Sequence, residues 1–171
     1  VALVDQGLRV AGWRVVPVGR EDCGPIALAG MPRIERVFVD ANAGRSLADF
    51  QRALFLARRA AEKALASFPE FYVVTLSATT LGYKAMVLPD ALPTVFPDLA
   101  RADLSSSVVV FHQRFSTNTA PAWKLAQPFR LAAHNGEINT LSGNINRMRA
   151  REMLMASPNL GDQQALEDLV P

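Results

Sequence analysis

Two short stretches hold most of the side chains able to do chemistry: "HQRFSTNT" from His112 to Thr119, and "HNGEINT" from His134 to Thr140. Arg114 follows an apolar run, and its planar guanidinium matches a carboxylate through two parallel hydrogen bonds. A structural ion pair with Glu137 or Asp103 would use the same geometry. Asn135 and Gly136 place a carboxamide N–H and a backbone N–H one residue apart, and glycine allows an approach that a Cβ would block. Two such donors suit the oxyanion that develops in acyl transfer. Asn-Gly is also a common turn dipeptide, and taken alone it favours a strand-to-helix turn. His112 and His134 with Glu137 make a poor zinc set, since such sites recruit cysteines or a third histidine. Ser116 and Ser142 lack a G-x-S-x-G elbow. Cys23, in "EDCGP", reads as a small buried or incidental residue rather than a nucleophile. The residues alone thus give a polar pocket with a carboxylate-binding arginine and a candidate oxyanion hole, and no nucleophile.

Rigid elements must present these groups, because a binding side chain gains precision from the strand or helix behind it. The run "SSVVVFHQRFS" predicts a strand buried on both faces that delivers Arg114, and "PFRLAAHNG" predicts another that delivers Asn135 and Gly136. "FYVVTLSATT" and "LGYKAMVL", separated by a turn at Gly82, read as an antiparallel hairpin. "RVFVD" is a shorter strand candidate. From Ser46 the period changes: Leu47, Phe50, Leu54, Ala57, Ala61 and Leu65 form one apolar helical stripe. Ser46 can cap it, with Asp49 answering the cap backbone, and Pro69 closes it. A second amphipathic helix starts at Leu141, with Ile145, Met148 and Met155 on one face and Arg147, Arg149 and Arg151 off it. This order does not alternate as a parallel βαβ array would, and it suits an α+β fold of antiparallel sheets covered by helices.

Length and composition narrow the classes. The 171 residues are half hydrophobic and one-fifth charged, which is globular rather than disordered. A net charge of +2 gives little support for a nucleic-acid partner, and the basic run Asn146 to Glu152 reads as a solvated helix face. One cysteine cannot form an internal disulfide, so a cytoplasmic setting is the simplest expectation. No apolar run approaches the roughly 18 residues of a membrane span. The opening "VALVDQGLRVAGWRVVPVG" reads as a helix tail running into a strand. The close, "NLGDQQALEDLVP", reads as the start of another element, so residues 1–171 are expected to be an internal part of a single domain.

The stretch "FHQRFSTNTAPAWKLAQPFRLAAHNGEINTLSGNINRMRARE" resembles the glutamine amidotransferase domain of the glutamate synthase large subunit, a class II domain with the N-terminal-nucleophile hydrolase fold. "GWRVVP", "FLARRA" and "FYVVTLSATTLGYKAM" fit the same family. The resemblance implies a four-layer αββα sandwich, incomplete at both ends here. It implies that Arg114 clamps the α-carboxylate of L-glutamine, that Thr117 lines the pocket, and that Asn135 and Gly136 form the oxyanion hole. Asn118 and Glu137 fall inside the motifs without an assigned role. By the same resemblance, the intact enzyme passes ammonia to a synthase domain that aminates 2-oxoglutarate. That enzyme uses FMN, an iron-sulfur cluster, and an electron-donating small subunit or ferredoxin. The family's nucleophile is an N-terminal cysteine whose α-amino group acts as base, where this chain has Val1. The 171 residues by themselves are therefore expected to be inactive. A non-catalytic amino-acid-binding module is the alternative.

Overall fold

A computed structural model describes residues 1–115, 120–127, 140–160 and 166. The chain divides into two compact units, one of residues 1–9, 41–79 and 135–171, the other of residues 10–40 and 80–134.

In the first unit a short helix α1 (Ala2–Asp5) packs on the long helix α3 (Leu47–Ala64). Helix α3 forms where the 3.6-residue stripe predicts it, and its buried face is Ala53, Leu54 and Ala57. Leu47 remains exposed on the first turn. Ser46 caps the helix: its Oγ accepts the Asp49 backbone N–H at 3.1 Å. The Asp49 carboxylate accepts a hydrogen bond from the Ser46 hydroxyl at 2.6 Å rather than from the cap backbone expected from the sequence. That hydrogen bond is the main reason the Asp49 carboxyl titrates below its usual range. The helix ends at Ala64, before Pro69, with Lys63 in its last turn, where a cation suits the helix dipole. Gly7 ends α1 at φ +66°, a conformation that glycine adopts without a steric penalty. Asn42 Nδ2 and Arg45 then donate to the Gly7 and Gln6 carbonyls at 2.7 and 3.1 Å. Helix α5 (Leu141–Arg151) begins at the residue expected, with Arg147, Arg149 and Arg151 exposed.

The second unit holds the sheet, two strands β1 (Arg9–Val15) and β2 (Glu35–Asp40), with α2 (Pro25–Ala29) on the connection. The Val16 N–H bonds to the Ile34 carbonyl at 2.9 Å, which sets an antiparallel register with Arg14 opposite Arg36. Two like charges directly across a sheet repel. Their repulsion is offset by Asp98, which a 3-10 turn, Pro97–Ala100, delivers 8% exposed. Arg14 donates to both carboxylate oxygens at 2.8 and 2.7 Å, Tyr83 donates its hydroxyl at 3.0 Å, and Arg36 stands 3.6 Å away while bonding to the Tyr83 hydroxyl. The Arg14 hydrogen bonds, then Tyr83, lower the Asp98 carboxyl to about 2.

Behind this cluster lies the core: Val16, Cys23, Ala27, Val95, Phe96 and Trp123. Val95, from helix α4 (Leu92–Val95), and Phe96 directly after it are fully enclosed, and the Phe96 ring meets Tyr83 at 5.1 Å between centroids. Gly19 donates its N–H to the Val95 carbonyl at 2.9 Å. A Cβ at Gly19 would collide with the Thr94 backbone oxygen, so only glycine fits there.

The other predicted strands did not form in the described residues. Residues 71–88 contain none, and the Ala78 N–H is taken by the Gln51 side chain on α3 rather than by a ladder. Residues 106–115 are also irregular, with Val108, Val109 and Phe111 at 73–75% exposure where burial on both faces was expected. β-propensity measures how well a residue fits against neighbours, and no partner strand stands beside either run among the described residues. The segment "PFRLAAHNG" lies, from Pro128 onward, outside the described residues.

Asp98→Asn tests the charge cluster. Water reaches part of the 39%-exposed Arg14 side chain, so the expected loss at neutral pH is about 1 kcal/mol. An aspartate whose folded pKa is depressed adds stability that is present above its unfolded value of 3.8 and lost as pH falls towards about 2. Urea midpoints of the two proteins should therefore differ at pH 7 and converge below pH 4. A gap that stays constant with pH would assign the effect to packing.

Candidate functional site

Arg114 is exposed at the end of the irregular 106–115 run, four residues from the last of the exposed valines. Among the described residues its guanidinium has no ion-pair partner. The structural alternative through Asp103 does not occur, because Arg101 grips that carboxylate with Nε at 2.8 Å and a second nitrogen at 2.5 Å. Glu137, the other candidate partner, lies outside the described residues. His112 is exposed two residues before it.

Ser116, Thr117, Asn118, His134, Asn135, Gly136 and Glu137 lie outside the described residues. Between the two stretches, residues 120–127 are described and firmly held. Pro121 fixes its own φ and biases Ala120 towards extended backbone. Ala122 is extended, and Trp123–Leu125 form one 3-10 turn. Trp123 is buried in the core of its unit and donates Nε1–H to the Ala27 carbonyl at 2.9 Å. The next carbonyl, that of Lys124, accepts from the Lys84 ammonium at 2.7 Å. Lys84 is itself only 8% exposed.

Reasoning from the sequence missed both Lys84 and the Asp98 cluster. The signal for Lys84 was a single lysine inside the apolar run "YKAMVL", a position that is costly for a charge unless it is hydrogen-bonded. Arg14 and Asp98 are 84 positions apart, and no local pattern links them.

Cys23 sits in a turn just before α2, its backbone N–H bonded to the Arg20 carbonyl and its Sγ 3.6 Å from the Gly19 carbonyl oxygen. The thiol is part of the hydrophobic core, as expected from its sequence setting. Among the described residues, no three His, Cys, Asp or Glu side chains gather as a metal site would require. No helix there is long and apolar enough to cross a membrane.

The sequence profile of the class-II glutamine amidotransferases matches residues 1–171. The chain is 44% identical over 167 residues to the glutamate synthase [NADPH] large chain of Azospirillum brasilense, a match covering 96% of this chain and 11% of that protein. It is 41% identical to the chloroplastic ferredoxin-dependent glutamate synthase of Oryza sativa subsp. japonica, covering 90% of this chain and 10% of the relative. With the ferredoxin-dependent glutamate synthase 2 of Synechocystis it shares 46% identity over 145 residues, 85% of this chain and 9% of the relative. The chain spans about a tenth of the length of these relatives.

The placement of Cys23 makes a direct prediction. A thiol enclosed in the core reacts only when the core opens, so alkylation by iodoacetamide should be at least about tenfold slower in native protein than in urea. Peptide mass spectrometry of the Cys23 segment reads the two rates. Equal rates would show the thiol to be accessible.

Proposed function

We propose, from the premise that this chain belongs to the class-II glutamine amidotransferases, that it forms part of the glutaminase domain of a glutamate synthase. The domain hydrolyses L-glutamine to glutamate and ammonia, and the ammonia serves the reductive amination of 2-oxoglutarate in a synthase domain of the same polypeptide. The observation that carries this reading is the match of the family profile along residues 1–171, joined to relatives that are glutamate synthases at 41–46% identity. On this reading residues 1–171 are an internal portion of one domain, and the fold completes to a four-layer αββα sandwich in the full protein. The setting is cytoplasmic.

The chemistry asks each residue for a specific contribution. The family's N-terminal cysteine attacks the side-chain amide carbon, its proton passing through the α-amino group to the departing nitrogen. Ammonia leaves as the thioester forms, and water then cleaves the thioester to glutamate. Arg114 holds the substrate's α-carboxylate through two parallel guanidinium N–H bonds, and its exposure, without an ion-pair partner among the described residues, supports this role. Thr117 contributes a hydroxyl to the same pocket. The Asn135 side-chain N–H and the Gly136 backbone N–H meet the oxyanion, each donor contributing roughly 3 kcal/mol. Asn118 and Glu137 belong to the same motifs. Cys23 takes no part, because its thiol faces the core and its nitrogen is a peptide N–H that donates to the Arg20 carbonyl.

The redox half of the reaction lies elsewhere in the polypeptide. An iron-sulfur cluster is held by several cysteine thiolates, and one buried cysteine does not fit that ligand set. FMN and the cluster are accordingly assigned to the synthase portion. Reducing equivalents come from an electron-donating small subunit or from ferredoxin, and the relatives' names divide between NADPH and ferredoxin.

Steady-state glutaminase kinetics on full-length protein test the two central assignments. Arg114→Lys keeps the charge but loses the fork, so the glutamine KM should rise about tenfold or more with kcat little changed. A collapsed kcat at constant KM would move Arg114 into the chemical step. Asn135→Ala should do the reverse, lowering kcat by roughly a hundredfold at nearly constant KM, since its contact strengthens only in the transition state. A destabilised variant with normal kcat per folded molecule would return Asn135 to a turn-forming role.

A further inference from the structure

The two-stranded sheet turns an apolar face outward. Residues two apart in a strand share a face. The register that sets Arg14 opposite Arg36 also sets Trp13 opposite Val37 and Ala11 opposite Val39. One face thus holds Arg14 and Arg36, both directed at Asp98, together with Phe38. The other holds Ala11, Trp13, Val15, Val37 and Val39, with charges only at its ends, Arg9 and Glu35. An antiparallel sheet with one solvated face normally turns its apolar residues inward and its polar ones outward. Here the arginines point inward, while Trp13 is 64% and Val15 56% exposed on the outer side.

A tryptophan in the middle of an apolar strand face has the composition of a buried interface. Two strands by themselves are marginally stable and gain from a layer packed on their free face. The chemistry of that layer follows from the face. Its end charges are of opposite sign, and Glu35 is already paired with Arg33 at 2.6 Å. It therefore presents neither a basic patch for phosphate nor an acidic one for a cation, and it suits an apolar surface. The source follows from length. The chain spans about a tenth of its glutamate synthase relatives, so on the reading above most of the polypeptide lies outside residues 1–171. A covalently joined surface competes at a far higher effective concentration than a separate molecule.

We propose that the outer face of the β1–β2 sheet is a docking surface for an apolar segment of the same polypeptide outside residues 1–171, with Trp13 as its anchor. The proposal rests on the reading of this chain as part of a glutamate synthase.

The test uses full-length protein carrying Trp13→p-benzoylphenylalanine, an aromatic replacement that cross-links on illumination to whatever touches it. Peptide mass spectrometry on a mixture of isotope-labelled and unlabelled protein identifies the partner. A cross-link to a peptide outside residues 1–171 of the same polypeptide supports the proposal. A cross-link between labelled and unlabelled copies assigns the face to a homo-oligomer and overturns it. A cross-link confined to residues 1–171, or none at all, overturns it as well. If the variant does not accumulate folded, hydroxyl-radical footprinting of unsubstituted full-length protein decides. Trp13 should then be oxidised at least about tenfold more slowly in native protein than in urea, and equally so on dilution. Native oxidation as fast as in urea, or protection lost on dilution, ends the proposal. Ammonia release by the unsubstituted protein is measured alongside. None from glutamine would sink the glutaminase reading itself, whereas active protein with an open Trp13 removes this inference only.

Discussion

The second unit depends on one carboxylate. Antiparallel pairing of β1 and β2 places Arg14 and Arg36 on the same sheet face, where their charges repel. Asp98 resolves this by accepting both oxygens' worth of hydrogen bonds from Arg14, lying close to Arg36, and taking the Tyr83 hydroxyl. Among the described residues, no buried side-chain nitrogen or oxygen lacks a hydrogen-bond partner. That completeness is what makes a buried charged group tolerable, because an unsatisfied member would cost more than an apolar substitute. The same carboxylate fixes the Pro97–Ala100 turn, and with it Val95 and Phe96, which close the core a few residues earlier.

The consequences run along the chain from Tyr83. Its hydroxyl belongs to the Asp98 cluster and its ring packs on Phe96. The next residue, Lys84, belongs to a different contact, the Lys124 carbonyl. Residues 83 and 84 thus join the charge cluster under the sheet to the turn that bears Trp123. Arg36 adds a cation-π contact, its guanidinium carbon 5.4 Å from the Tyr83 ring centre. The order of this segment is therefore set by side-chain contacts rather than by a β-ladder, which explains why it is well held without being a strand.

The two amphipathic helices and the short strands β1 and β2 were legible in the sequence, whereas the longer apolar runs expected as strands are irregular where described, and the reason is the range of the interactions. Helix α3 is specified within a few residues by the Ser46 cap and by a stripe that includes buried Leu54 and Ala57. Its departures from expectation are the exposure of Leu47 and the direction of the Asp49 carboxylate, which a competing nearby hydroxyl settled. Strands β1 and β2 were also visible as short apolar runs. Val108 to Phe111 looked stronger than either and is irregular. An apolar run declares that a segment favours burial, whereas a strand needs a partner that the run itself does not name. The candidate site divides in the same way. Arg114 stood out as a candidate by its type and its place after an apolar run, and Cys23, expected as a small buried or incidental residue, lies in the core. The groups that hold the surrounding backbone come from positions 14, 27, 83, 84 and 98, and only the fold brings them together.

Why a lysine should occupy position 84 follows from what the Trp123–Leu125 turn lacks. A single 3-10 turn satisfies few of its own carbonyls, and those it exposes to the interior need donors from elsewhere. The Leu125 and Ala126 N–H groups bond back to the Ala122 and Trp123 carbonyls, so the Lys124 carbonyl is met from outside the turn. A methionine at 84 would fill comparable volume and leave that oxygen without this donor. An apolar side chain attracts its neighbours without direction, while a donor on a carbonyl fixes distance and angle together. A turn placed by packing alone could slide along the core. Placed by Lys84 and the Trp123 indole, it has two directional bonds to separate parts of its unit, which restrain both its translation and its rotation.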